Sequence, residues 1–267
     1  MKKIICALMS LLVMMGCVLT TSINQVSAST EKIPTIIMHG FTGDAKTFKT
    51  MRQVYKQNGT IGENYGELTM SKDGKKITGH LKRVDVAGPG EEGYTRPVVN
   101  FLFKDNTASL QKQTVWFKDM VNYTKNFYGA KKVNIIGHSM GGLVATRYIV
   151  DTGGKDINKL VTLDSPILGV NPTTNFSLLP YLDAALRDLR PFSAALVTTL
   201  AKANSFNKNI KVMSYAATGS DVYVSKNSAH GLKIYTKNIS VKEVKTTHTN
   251  IQHDASVINE VQKWVFK

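Results

Sequence analysis

Short apolar runs alternate with stretches of helical periodicity along most of this 267-residue chain, and that alternation restricts the fold more than any other feature. Ile33 to Met38, Pro97 to Phe103, Lys132 to Ile136, Leu160 to Leu163, Ile210 to Tyr215 and Ile239 to Val244 each read as a strand. Between them, Thr107 to Tyr128 carries Leu110, Val115, Trp116, Met120, Tyr123 and Phe127 at helical spacing and stops at Gly129. Met140 to Val150 is a second helix, ended by Gly153-Gly154, and Asp254 to Val265 closes the chain with a third. Gly62 to Val86 alternates apolar and polar residues around Asp73-Gly74, a hairpin signal. Strands that alternate with helices imply an α/β fold, a mostly parallel sheet with helices on both faces. Ligands of such sheets bind beyond the carboxyl ends of the strands.

One connection is out of proportion. Over forty residues separate Leu163 from Ile210, and 165–209 reads as an insertion. Leu178, Leu179, Leu182, Ala185, Leu186 and Leu189 form one apolar stripe there, and Phe192, Leu196, Val197 and Leu200 a second helix. The expectation is a helical cap or lid over the functional end of the sheet, against the plainer reading of a helix packed on the sheet.

The first 28 residues are set apart from this rhythm. Met1-Lys2-Lys3, an uncharged apolar stretch from Ile4 to about Leu19 and a Val26-Ser27-Ala28 end make up a secretory signal peptide, with cleavage after Ala28. The apolar stretch is short of the roughly 20 residues of a membrane span. Met14-Met15-Gly16-Cys17 offers a poorer match to a lipoprotein signal. Cleavage leaves 239 residues, 29–267, enough for one large domain. The expected location is outside the cell or at its surface. Both cysteines, Cys6 and Cys17, leave with the signal peptide, so a disulfide and a thiol nucleophile are excluded.

The formal charge is +15; less the two of Lys2 and Lys3 it is +13 for the mature part. The lysines are scattered along the sequence and not interleaved with aromatics, which argues for a solvated basic surface and against nucleic acid. Anionic envelope polymers or phospholipid surfaces are the partners such a charge attracts.

Chemistry concentrates in Ile135-Ile136-Gly137-His138-Ser139-Met140-Gly141-Gly142. An apolar strand precedes this Gly-x-Ser-x-Gly and a helix follows, so Ser139 sits on a sharp turn with its hydroxyl exposed above the sheet. The helix start behind it favours the negative charge that develops during acyl transfer. Of six histidines, His39 and His138 belong to tight turns, His80 to the hairpin and His230 to a loop with no strand before it. His248 directly follows the last strand and is the expected base, with His253 as its rival. Acid and histidine follow the serine in that order in enzymes built on such a turn. Asp221, in the turn-rich loop after Ile210 to Tyr215, is the preferred acid and Asp164, at the end of the preceding strand, its rival. Backbone N–H groups of Met140 and Phe41, the latter in His39-Gly40-Phe41-Thr42-Gly43, are the expected oxyanion donors.

These pieces, with Val161-Thr162-Leu163-Asp164-Ser165-Pro166, Ser220-Asp221-Val222-Tyr223-Val224-Ser225 and His248-Thr249-Asn250-Ile251-Gln252-His253, resemble the α/β-hydrolase superfamily. The chain is most similar to a family of bacterial exported or cell-surface hydrolases of largely uncharacterised function. The resemblance spans the mature chain and implies Ser139, Asp221 and His248 as a triad. Two positions depart from the family's pattern: Asp164 stands where Gly is common, and Val222 where Gly often follows the acid. The resulting expectation is a serine hydrolase of carboxylic esters, esterase- or lipase-like, acting on small-molecule or lipid esters without cofactor or metal. An acyltransferase with the same triad, a peptidase or amidase, and a catalytically silent envelope-binding module are the alternatives.

Overall fold

The computed structural model describes residues 33–61, 65–82, 96–172, 183–220 and 223–266. The expected signal peptide and Asp221 lie outside them. Among the described residues no helix is long and apolar enough to cross a membrane.

Eight strands form one sheet: β1 (Thr35–Met38), β2 (Tyr65–Met70), β3 (Ile77–His80), β4 (Val98–Phe103), β5 (Val133–His138), β6 (Ile157–Leu163), β7 (Lys211–Ala217) and β8 (Ile239–Val244). Their order across the sheet is β3-β2-β4-β1-β5-β6-β7-β8. Only β2 and β3 pair antiparallel; every other neighbouring pair is parallel. Between them come α1 (Lys49–Gln57), α2 (Leu110–Tyr128), α3 (Met140–Thr152), α4 (Ala184–Asp188), α5 (Ala194–Ala201) and α6 (Lys226–Ala229), and α7 (Ala255–Val265) follows β8. This is the α/β fold with an eight-stranded, mostly parallel sheet.

Strand neighbours divide between two cores because side chains alternate across a sheet. Ile36, Met38, Ile135 and Leu160 pack with Phe117, Met120, Leu143 and Val144 of α2 and α3 on one face. Ile37, Ile136, Val161 and Leu163 pack with Met51 and Tyr55 of α1 and Val257, Ile258 and Val261 of α7 on the other. Burial on both faces explains why these strands are continuous apolar runs. Removing a wholly buried side chain such as Leu143 leaves a cavity that costs about 3 kcal/mol.

The helix ends follow from local chemistry. Ser109 caps α2 by accepting from the Lys112 N–H, and Gly129 closes it in the left-handed conformation at φ 64°. The carboxylate of Asp188, at the end of α4, also accepts the Leu110 N–H at 2.7 Å, the first amide of α2. A donor left over at a helix start is thus satisfied from the segment between β6 and β7.

β1 is central, and the chain lays β2, β3 and β4 on one side of it before β5 to β8 on the other. Its carboxyl end therefore lies where the direction of winding reverses, which is where parallel sheets open a crevice.

Candidate active site

Ser139 joins β5 to α3 at φ 52° and ψ −126°, a conformation costly for a side chain with a Cβ. The turn is held from three sides. The Ser139 N–H donates to the Leu163 carbonyl of β6, its own carbonyl accepts from the Gly142 N–H, and the loop after β1 lies against it. A Cβ on Gly137 would stand 2.5 Å from the Gly142 nitrogen, and one on Gly40 would stand 2.6 Å from Ser139 Cβ. Both glycines are required by close approach.

His248 reaches back from the loop after β8. Its Nε2 lies 3.0 Å from Ser139 Oγ, and its Nδ1–H donates to Asp164 Oδ2 at 2.6 Å. Because a carboxylate only accepts, the Nδ1 proton is assigned and Nε2 is left to accept from the serine hydroxyl. The bond is short, as expected for a charge-assisted one. Asp164 ends β6 at φ 48° and is 1% exposed. Its other carboxylate oxygen accepts the Ala217 N–H at 2.9 Å, and its own N–H donates to the Tyr215 carbonyl, so both ends of the residue are tied to β7.

The acid preferred from sequence, Asp221, lies outside the described residues; among those described, the carboxylate brought to His248 is that of its rival, Asp164. Strands lie about 4.8 Å apart, so a histidine after β8 must span three spacings, roughly 14 Å, to meet a serine after β5. β6 and β7 both lie under that span, and Asp164, directly after β6, is the described carboxylate that meets His248 within it. His253 is not at Ser139: its Nδ1 lies 2.8 Å from Thr50 Oγ1 on α1.

His138 and His39 have roles that reading them as turn residues did not foresee. His138 Nε2–H donates to the His248 carbonyl at 2.8 Å, with the two rings 4.9 Å apart. Burial, helped by the neighbouring His248, pushes its pKa down to about 3, so it is neutral and holds the main chain of His248 without adding charge. His39 Nε2 accepts the Phe103 N–H of β4 at 3.3 Å while Nδ1–H donates to the Gly40 carbonyl. This pins the loop after β1, and burial lowers the His39 pKa too. Thr42 in that loop has φ 56°, so three strained non-glycine residues gather here.

Met140 is the first residue of α3, where helix N–H groups have no intrahelical acceptor. Phe41 lines the cleft with Ser139 and His248; Val170, Leu186, Leu189 and Tyr223 supply most of the remaining apolar wall, around a volume of ≈ 130 Å³. Leu186 and Leu189 come from α4 and its C-cap, within the long insertion. Among the described residues no group of three or more His, Cys, Asp or Glu side chains is arranged to hold a metal ion.

Residues 22–267 match the family of alpha/beta hydrolases of unknown function (DUF915). The chain is a member of this α/β-hydrolase family. Among solved structures, the product of the Listeria innocua gene lin2722 shares 20% identity at a TM-score of 0.69, covering 88% of this chain and 94% of that one. A candidate cell surface hydrolase from Lactobacillus plantarum shares 20% at 0.64, covering 89% and 91%. The mature Bacillus licheniformis lipase BlEst2 shares 11% at 0.59, covering 88% and 93%. No curated protein matches the chain. At these identities the likeness to solved structures establishes the fold of the α/β-hydrolase and no more.

Proposed function

We propose that this α/β-hydrolase is a serine hydrolase of carboxylic esters, with Ser139 as nucleophile, His248 as base and Asp164 in place of Asp221 as the orienting acid. The observation that carries the reading is the continuous line from Ser139 Oγ through His248 to Asp164, at 3.0 and 2.6 Å. His248 Nε2 takes the hydroxyl proton as Ser139 Oγ attacks the ester carbonyl carbon. The Met140 and Phe41 N–H groups hold the resulting oxyanion; each such donor contributes on the order of 3 kcal/mol to the transition state. The imidazolium, stabilised by Asp164, returns the proton to the departing alkoxide and leaves an acyl-enzyme. Water deprotonated by the same histidine then releases the acid.

An apolar cleft beside the nucleophile suits an acyl chain better than a charged group. Residues 165–209 are read as its cap, with Leu186 and Leu189 facing the acyl group. The leader-like first 28 residues, together with the description of the L. plantarum neighbour, support a location outside the cell or at its surface.

The test is a p-nitrophenyl ester chain-length series on the purified protein and Ser139→Ala, with fluorophosphonate labelling of both. Turnover and label should both vanish in the variant, a loss of at least about 10³-fold in kcat. Equal turnover in Ser139→Ala would reject the nucleophile, and acyl transfer to an added alcohol in preference to water would redefine the enzyme as a transferase.

A further inference from the structure

Three of the lysines that look scattered in sequence come together in space away from the cleft. Lys49, Arg52 and Lys56 stand at i, i+3 and i+7 on α1, and His80 and Lys82, at and just beyond the end of β3, face them. With Tyr65 they line a groove of ≈ 250 Å³ that shares no residue with the active-site cleft. We propose that this groove binds a linear polyanion, a polymer bearing a regular row of negative charges.

Three features carry the assignment. First, α1 contains three basic residues and no acidic one. A helix face that only had to be solvated would gain from mixed signs, since like charges one turn apart repel. Second, Arg52 is positioned beforehand. Its Nη2 donates to the Ala45 carbonyl at 2.8 Å and its Nε to the Phe48 carbonyl at 3.4 Å, and the guanidinium lies 4.4 Å from the centre of the Tyr65 ring. Among the described residues the carboxylate paired with it, Glu67, is 4.0 Å away and accepts from Tyr65 and Asn100. A fixed guanidinium loses little freedom on meeting an anion. Third, the cations lie in a row. Seven residues of helix separate Lys49 from Lys56, about 10 Å, so no single small anion touches both ends while an extended chain does.

A membrane is the poorer occupant on this geometry. An interfacial helix inserts apolar side chains beneath its cations, whereas Met51 and Tyr55 of α1 are committed to the core. The groove is also concave.

The proposal is independent of the esterase reading, and so is its test. Long-chain inorganic polyphosphate carrying a fluorophore is titrated with the full-length mature protein and followed by anisotropy. One variant combines Lys49→Glu, Lys56→Glu and Lys82→Glu; a second, Lys118→Glu, Lys131→Glu and Lys132→Glu, changes net charge equally on other exposed lysines. Thermal midpoints check that both are folded. The groove variant should bind at least about tenfold more weakly and with a shallower salt dependence, and the control within about threefold of wild type. Equal losses in the two variants would reduce the effect to overall charge and overturn the site. Full competition by orthophosphate at similar concentration would overturn the polymer in favour of a single-anion site. Binding to anionic phospholipid vesicles but not to polyphosphate, lost in the groove variant, would overturn it in favour of a membrane.

Discussion

The β2–β3 hairpin and the catalytic end of the sheet both bend the chain sharply, and they do so with opposite choices of residue. In the hairpin the left-handed position falls on Gly74, at φ 74°, where no Cβ is strained. At the carboxyl ends of β1, β5 and β6 positive φ falls on Thr42, Ser139 and Asp164. Where only a turn is needed the chain uses glycine. Where a side chain must be delivered at the turn, it tolerates strain of order 1–3 kcal/mol per residue and holds it with neighbouring main-chain bonds.

The sharpest way to break this contrast is at the acid. Asp164→Asn keeps the shape but presents a neutral side chain to His248, and kcat/KM should fall by about 10³ to 10⁴. Asp221→Asn should change it less than about threefold; the reverse ranking, measured on the same ester, returns the acid to Asp221. The next effect is on stability. Gly74→Ala introduces a Cβ at positive φ and 2.0 Å from Trp116 Nε1, which should cost about 2 kcal/mol or more while leaving turnover intact. Ser139→Gly should abolish turnover yet raise stability by about 1 kcal/mol as its strain is relieved. Urea titrations of the pair test the signs, and destabilisation by both would remove the distinction.

Smaller still is a pH effect. Folded His138 stays unprotonated down to about 3, whereas an unfolded histidine takes up its proton near 6.5. The unfolded state therefore binds more protons between these values, and stability falls as the pH is lowered through that window, by about 1.4 kcal/mol per unit for this residue. His138→Gln should flatten the slope of unfolding free energy against pH by about one proton; an unchanged slope would place the charged form inside the fold. The smallest effect is expected at Phe192, the fourth described non-glycine residue at positive φ and 91% exposed. It delivers nothing to the cleft lining, so Phe192→Asn, which tolerates that conformation, should raise the melting midpoint by a few degrees.

Sequence periodicity revealed the sheet because its strands are buried on both faces and so read as unbroken apolar runs. It revealed Ser139 because the elbow is a local strand–turn–helix pattern, in which Gly137 is demanded by the backbone of Gly141 and Gly142 a few residues on. α1 went unread although Phe48, Met51 and Tyr55 recur at helical spacing and Asn58-Gly59 stops them; the polar Lys49, Thr50, Arg52 and Gln53 between them masked a stripe that is buried in the second core. The choice of acid was not legible for a different reason. Asp164 and Asp221 both follow strands that lie between β5 and β8, so strand order does not separate them, and the contact of Asp164 with a histidine 84 positions away is one that no local pattern encodes. His138 was set aside as a turn residue because its partner, the His248 carbonyl, is 110 positions away.

Asp188 gives the roof of the cleft an unexpected dependency. The carboxylate that caps the start of α2 belongs to the piece of chain that also lines the cleft beside Ser139 with Leu186 and Leu189, and Leu189 accepts the Val170 N–H through its carbonyl at 2.8 Å. If the proposed cap lifts to admit a bulky ester, the Leu110 amide loses an acceptor, a penalty of about 1 kcal/mol. On that proposal substrate entry and the fraying of a helix with no catalytic group are one equilibrium, and a bulky substrate would meet its selectivity filter partly in the integrity of α2.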